Sequence, residues 1–242
     1  MEQTVAQLAQ SIEKAQNIVF FGGAGVSTES GIPDFRSAHG LYAGARGMSY
    51  EGMLSIGYFQ AHPDAFWTFY KDVMLYPNAR PNPAHFALAR LEKQGKLKAI
   101  LTQNIDGLHQ AAGSRRVWEL HGSVHENVCT QCGQRHDLAY VLAQTGTPRC
   151  SRCGGMLRPG IVLYGEPLDD AVMAEAVRAV RQCDLLLVGG TSLVVYPAAG
   201  LIRYRRVGVP LALLNRDATP YDGEAALVVR QNIASALDEA IR

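Results

Sequence analysis

Ile18-Val19-Phe20-Phe21-Gly22-Gly23-Ala24-Gly25-Val26-Ser27 is an apolar run that breaks into a cluster of glycines. Residues 18–21 are apolar without alternation, as in a strand covered on both faces. Gly23-Ala24-Gly25 follows that strand and precedes a helix start expected at residues 27–30. Glycines in such a place let the backbone approach a pyrophosphate, and a helix N-terminus supplies N–H groups. The string is an incomplete dinucleotide fingerprint: Thr28 stands where the third glycine belongs, and no acidic residue about 20 positions on sits at a clear strand end. A plain tight turn is the competing reading. Gly189-Gly190 with Thr191 and Ser192, after a second apolar run, favours the nucleotide.

Further unalternating runs lie at 97–102, 117–120, 185–188, 209–214 and 227–229, and helical segments at 82–94, 168–182 and 197–206 precede three of them. Residues 1–16 read as a capped helix and 233–242 as a closing one. This alternation predicts an α/β fold with a doubly wound, Rossmann-like parallel sheet. Two stretches break the pattern. Residues 38–80 are rich in aromatics and predict helices and loops; residues 125–157 hold four cysteines among turn-forming Gly and Pro. The expected division is a dinucleotide-binding domain of residues 1–37, 81–124 and 158–242, with 38–80 (helical) and 125–157 (zinc ribbon) together forming an inserted small domain.

A chain of 242 residues with net charge +1 has no broad field calling for nucleic acid or an anionic membrane, although a local basic patch is compatible with it. No stretch reaches the apolar length of a membrane span. Residues 1–16 lack a basic region followed by a long apolar one, so no secretion signal is read and the cytoplasm is the expected compartment. Thiols stay reduced there. Cys129, Cys132, Cys150 and Cys153 form two Cys-x-x-Cys pairs on knuckle-like turns supported by Gly133 and Gly154. Four thiolates at that spacing predict one tetrahedral Zn²⁺, structural because its shell is closed. His125 and His136 are nearby, but the cysteines already complete the shell. Cys183 stands alone and reads as a small core hydrophobe.

In open α/β sheets ligands bind beyond the carboxyl ends of the strands. Beyond the six runs stand Gly22–Ser27, Gln103-Asn104-Ile105-Asp106, His121-Gly122, Gly189–Ser192, Asn215 and Gln231-Asn232. His121 could act as a general base near neutral pH, and Gly122 permits close backbone approach. His85 and His109 fall within expected helices and read as structural. Ser30-Gly31-Ile32-Pro33-Asp34-Phe35-Arg36 offers an acid, an aromatic wall and a cation on a stiffened loop, or a loop packed by Phe35 with an Asp–Arg surface pair.

Together these strings resemble the sirtuin family, in its undifferentiated bacterial type. Gly23–Ser27 with Ser30–Arg36 is similar to its first signature, Thr102-Gln103-Asn104-Ile105-Asp106-Gly107-Leu108-His109 to its second, and His121-Gly122 to its catalytic motif. The four cysteines, Tyr164-Gly165-Glu166, and residues 190–197 match further motifs. The resemblance implies an NAD-dependent protein lysine deacylase that yields nicotinamide, free lysine and O-acyl-ADP-ribose, so NAD is consumed as a co-substrate. His121, Asn104 and Asp106 would be catalytic. Gly23, Ala24, Gly25, Asp34, Phe35, Arg36, Gln103, Asn104, Asp106, Gly190, Thr191, Ser192, Asn215 and Ile233 would hold NAD. Val162, Gly165, Glu166, Val194 and Tyr196 would bind an acylated peptide by β-augmentation. The rival readings are a sirtuin-like mono-ADP-ribosyltransferase, a nucleic-acid-reading zinc module and a dehydrogenase. Sirtuins that remove acidic acyl groups carry a tyrosine and, three residues on, an arginine; the matching string Phe69-Tyr70-Lys71-Asp72-Val73 lacks the arginine, so Tyr70 reads as a core aromatic beside Phe66 and Trp67.

Overall fold

The computed structural model describes residues 2–35, 40 and 49–241. Helix α1 (Glu2–Lys14) leads into β1 (Ile18–Gly22); α2 (Tyr50–Met53), α3 (Ile56–Ala61), α4 (Pro63–Phe69) and a π-helical turn (Tyr70–Met74) come next. Then follow α5 (Pro83–Lys93), β2 (Leu97–Thr102), α6 (Leu108–Ala111), β3 (Val117–Glu119), β4 (Gly122–Cys129), β5 (Arg135–His136), α7 (Leu138–Leu142) and β6 (Leu157–Ile161). The chain closes with α8 (Asp170–Gln182), β7 (Leu185–Gly189), β8 (Leu211–Leu214), β9 (Leu227–Val229) and α9 (Ile233–Ala240).

Six strands form one sheet in the order β3-β2-β1-β7-β8-β9, every pairing parallel. These are the six runs read from the sequence. Successive side chains of a strand point to opposite faces. Ile18 and Phe20 therefore join α1, α5 and α9 in one buried cluster, while Val19 and Phe21 join α8 and the 198–204 segment in the other. Polar side chains set the helix starts: Asn82 and His85 form a reciprocal capping box at α5, Asp169 caps α8, and Asn232 caps α9. The winding reverses between β1 and β7, which is where doubly wound sheets open a crevice.

Two expected helices are corrected. Residues 27–30 start no α-helix; the chain makes two 3₁₀ turns, Ala24–Val26 and Thr28–Ser30, and stops at Gly31 with φ +83°. Asn82 Nδ2 donates to Val26 O and to Ser30 Oγ and holds this tight course. Residues 197–206 likewise form a 3₁₀ helix, Ala198–Tyr204. Its period brings i and i+3 into line, stacking Ala198 with Leu201 and Ala199 with Ile202, all buried.

The small antiparallel sheet β5-β4-β6 carries the cysteine turns. It shares a third buried cluster with the helices of residues 50–75, centred on Phe59, Phe66, Trp67 and Tyr70. Trp67 Nε1 donates to Leu157 O at 3.2 Å, and Lys71 Nζ to the carbonyls of Gln144 and Gly146, so the two stretches that interrupt the α/β pattern pack as one body.

Candidate active site

A cleft of about 760 Å³ runs along the carboxyl ends of the strands, between the large sheet and the smaller body. Its floor is a pair of glycine turns at the winding reversal. Gly25 N–H donates to Gly190 O at 2.8 Å, and a Cβ on Gly25 would lie 2.7 Å from Gly190 Cα. Gly190, with φ +62°, is in the left-handed region. The glycines thus let two turns clasp each other. Gly23 packs beneath this clasp against Gln103 and Thr191, off the cleft wall, whereas Ala24, Gly25, Gly190, Thr191 and Ser192 line it.

The β2 end supplies the polar centre. Gln103 N–H is anchored on Gly22 O, and its Oε1 accepts from Thr191 Oγ1 at 2.8 Å. Its Nε2 is a buried donor without a partner among the described residues. Asn104 Nδ2 donates to Ser27 Oγ at 3.0 Å, and Ser27 Oγ donates to Asp106 Oδ2 at 2.7 Å. Leu108 N–H satisfies Asp106 Oδ1. Asn104 and Asp106 are thus held in fixed orientation by a serine buried to the last atom. From sequence, Ser27 reads only as a helix start, with no role at the site. Its partner Asp106 is 79 residues away, which no local signal encodes.

His121 lies just past β3, with Nδ1 3.0 Å from Gln103 O. A carbonyl only accepts, so Nδ1 carries the proton and Nε2 keeps its lone pair. Burial lowers the imidazole below its ordinary value, against the opposing pull of the Gln103 carbonyl, so the neutral base is favoured near pH 7. His121 O in turn accepts from Val162 N–H at 2.9 Å. Gly122, at φ +73°, passes so close to β6 that a Cβ would lie 2.1 Å from Gly160 O. His125 is no zinc ligand: its Nε2 meets Asp106 O at 3.1 Å on the cleft wall.

Asp34 and Phe35 line the cleft, as do Asn215 and Ile233 at the far end. Arg36 lies outside the described residues. Asp217, two positions past Asn215, also lines the cleft and is an acid that the residue pattern alone does not place at a strand end.

Val162, Gly165, Glu166 and Tyr196 line the opposite rim, while Val194 stands beside it, half exposed. Glu166 braces this rim from within. Arg158 grips both its oxygens at 3.0 and 2.9 Å, and Leu163 N–H adds a third bond. Burial works to raise this carboxyl, but Arg158 and the Leu163 N–H outweigh it and hold the group below its usual range. The N–H groups of Val162, Leu163, Tyr164 and Glu166 are all engaged inside the protein. Among the described residues, Gly165 N–H is the free donor on this rim, whereas the N–H groups of Val194, Val195 and Tyr196 on the facing loop have no partner.

The four cysteine sulfurs all lie within 4.8 Å of one another, with Cys129–Cys153 at 3.5 Å and Cys132–Cys150 at 3.7 Å. A ZnS₄ tetrahedron with bonds of ~2.3 Å has edges of ~3.8 Å, so the set fits one Zn²⁺. His136 Nε2 lies 3.4 Å from Cys150 Sγ and stacks on Tyr140, outside the sulfur shell. Cys183 is buried in the core and donates to Val180 O.

The model of the Sir2 family matches residues 23–197. The chain belongs to the Sir2 family. It is 53% identical over 240 residues to a protein of Clostridium acetobutylicum named NAD-dependent protein deacetylase, covering 98% of each chain. A protein of Cutibacterium acnes with the same name is 52% identical over 241 residues, 99% of this chain and 98% of its own. Among solved structures, a Sir2 protein with a deacetylated p53 peptide and 3′-O-acetyl-ADP-ribose superposes with a TM-score of 0.91 at 35% identity, covering 99% of this chain and all of that one. A Sir2 complex with p53 peptide and NAD⁺ gives 0.84 at 37% identity, covering 96% of this chain and 94% of the other. This sirtuin therefore joins a Rossmann-like sheet to a cysteine module fit for zinc, with the cleft between them.

Proposed function

We propose that this cleft catalyses NAD-dependent deacylation of protein lysines through the residues described above. The enzyme is an NAD-dependent protein deacetylase, releasing nicotinamide, free lysine and O-acyl-ADP-ribose. The observation that carries the residue assignment is His121: its Nδ1 is committed to Gln103 O, which leaves Nε2 as a neutral base on the cleft.

The acyl oxygen attacks the anomeric carbon of NAD as nicotinamide departs, and His121 then takes the proton of a ribose hydroxyl. Asn104 and Asp106, fixed by Ser27, orient the nicotinamide and its ribose. Gln103, fixed by Gly22 O and Thr191 Oγ1, lines the same part of the cleft. Ala24, Gly25, Gly190, Thr191 and Ser192 form the floor for the phosphates, with Asp34 and Phe35 also on the cleft wall; Arg36, outside the described residues, is assigned to NAD by the resemblance. Asn215 and Ile233 border the adenosine. An acylated peptide lies as a strand between Gly165 and the Val194–Tyr196 loop, with Val162 near the lysine amide; the free N–H groups there support that mode.

Our reading assigns residues 1–37, 81–124 and 158–242 to the NAD domain, with 38–80 and 125–157 forming the small domain. The Zn²⁺ is structural, because four thiolates leave no open position. Four unbridged cysteines suit a reducing compartment, and we place the enzyme in the cytoplasm. Mass spectrometry of products from NAD with acetylated and unmodified versions of one peptide tests the function. Acetyl transfer to ADP-ribose is expected only with the acetylated peptide; ADP-ribose appearing on the unmodified one would favour a transferase.

A further inference from the structure

The loop that carries Asn104 and Asp106 hangs between the two bodies. On the side of the large sheet, Ser27 Oγ meets both side chains, and Leu108 N–H closes a short turn onto Asp106 Oδ1. On the other side stands β4, a strand of the small sheet. Val124 N–H donates to Ile105 O at 3.0 Å, and the Ile105 side chain packs against the buried cluster of the small body. The next residue on each side repeats the contact: His125 Nε2 lies 3.1 Å from Asp106 O. A carbonyl only accepts, so Nε2 carries the proton and donates. Among the described residues no backbone N–H is bonded to Asp106 O, and His125 is its donor.

That bond falls on the weak joint of the loop. Gly107 follows with φ +71°, in the left-handed region that glycine enters freely. The 106–107 peptide unit is therefore the one with least steric restraint on turning over. Turning it would carry Asp106 O away from His125 and break the turn between Asp106 Oδ1 and Leu108 N–H, which spans the same unit. The His125 ring also covers Gly107: a Cβ there would lie 2.8 Å from both Cδ2 and Nε2 of the ring. Ring and hydrogen bond together clamp the joint. His125 itself is exposed on the cleft wall, so removing its side chain opens no hole in a core.

We propose that His125 is a positioning residue for the reaction: it clamps the 106–107 peptide unit and so keeps the Asp106 carboxylate directed at the nicotinamide ribose. It acts through Asp106 and not on the reacting atoms. The proposal rests on the deacylase reading and on the place of Asp106 within it. The clamp also gives the small body a hand in the chemistry, since the strand that bears His125 ends at the zinc ligand Cys129.

The test uses the full chain with zinc bound, as wild type, His125→Ala, His125→Asn and His125→Gln. Steady-state constants are measured for NAD and for one acetyl-lysine peptide. The amide nitrogen of Gln reaches about as far as Nε2, whereas that of Asn stops near the place of Nδ1. Losing one exposed hydrogen bond should lower kcat/KM for NAD about three- to tenfold in the Ala and Asn proteins. KM for the peptide should not change, because His125 makes no hydrogen bond to residues 162–166 or 194–196. His125→Gln should recover to within about twofold of wild type. Gln carries no charge, so recovery assigns the effect to the donated bond and not to charge on the ring. Melting temperature and zinc content should be alike in all four proteins. A purely structural role would move those two together with the peptide constants and would not separate Gln from Asn. Unchanged kcat/KM for NAD in His125→Ala overturns the proposal, as does His125→Gln no better than His125→Asn, or a loss shared equally by the peptide KM. No NAD-dependent nicotinamide release by the wild-type protein with the acetylated peptide would instead defeat the deacylase reading, and this proposal with it.

Discussion

His121 Nδ1 and the Gln103 carbonyl lie 3.0 Å apart, fixing which ring nitrogen can accept a proton. Replacing His121 with Ala should lower kcat ~10²–10⁴-fold while the protein stays folded. The pH profile follows from the same contact. Burial lowers the His121 pKa, so the base form persists below the ordinary imidazole value of 6.5. Activity should fall on the acid side only beneath that pH. Steady-state rates from pH 5 to 8, with a thermal melt of the variant, check both statements; near wild-type turnover in folded His121→Ala would sink the assignment.

Ser27→Ala removes the hydroxyl that serves both Asn104 Nδ2 and Asp106 Oδ2. Orphaning buried partners costs ~1–3 kcal/mol, more when one is charged. The loss should appear in kcat/KM for NAD, about tenfold or more at ~1.4 kcal/mol per decade, with a smaller change in melting temperature. An unchanged kcat/KM would show that the serine does not hold the pair.

His85 and His109 are buried with ring centres 4.8 Å apart. Both titrate low: burial takes His85 to about 4, opposed by the charge of Asp106, and burial then His85 takes His109 to about 3. Unfolded, each would take up its proton near 6.5. The unfolded chain therefore binds more protons below that pH, so stability is full above ~6.5 and is lost as pH falls toward 4 and 3. Both His109 ring nitrogens lack partners among the described residues, so His109→Leu should remove one proton from this uptake and flatten the acid limb. Urea unfolding at pH 4.5 and pH 7.5 compares the slopes; parallel losses in both proteins would refute it.

Cys129→Ser or Cys150→Ser should abolish stoichiometric zinc and loosen the small body, because metal binding and folding are coupled there. Trp67, buried in the cluster that includes Cys129 and Cys150, is the natural reporter. Elemental analysis should find one zinc per wild-type chain; none, in protein purified without chelator, would exclude the site.

Acetyl and longer aliphatic acyl groups should be preferred over succinyl. Tyr70 is fully buried, stacked on Phe66 at 5.5 Å, with its hydroxyl without a partner among the described residues and its pKa raised by burial. Lys71 is tied to the Gln144 and Gly146 carbonyls, and Val73 on the cleft wall carries no charge. A succinyl carboxylate missing its buried partner loses ~2–5 kcal/mol. Side-by-side kcat/KM values on one peptide decide; equal or higher values for succinyl would reject the preference.

The strands were legible because buried parallel strands need uninterrupted apolar runs, and 18–21, 97–102 and 185–188 have them. The cysteine site was legible because four thiolates at that spacing have little other use. The winding of 24–30 and 198–204 was not, since Asn82 and the packing of Ala198 on the sheet decide it from a distance. Ser27 was missed for the same reason. The resemblance pointed to the rim of 162–166 but not to its free donors: which N–H groups are engaged depends on Leu54, His121 and Glu166, which no residue pattern within the segment announces.

The clasp between Gly25 and Gly190 also sets a timetable. β1 begins at residue 18 but lies in the middle of the sheet, and its neighbour β7 begins at residue 185. At ~5–20 residues per second of synthesis, a nascent chain waits on the order of ten to thirty seconds for that neighbour to leave the ribosome. Through that interval Phe21 has no covering from β7 or α8, and the floor of the cleft does not exist. The co-substrate therefore cannot template the early chain; NAD can stabilise only a molecule that is almost wholly made.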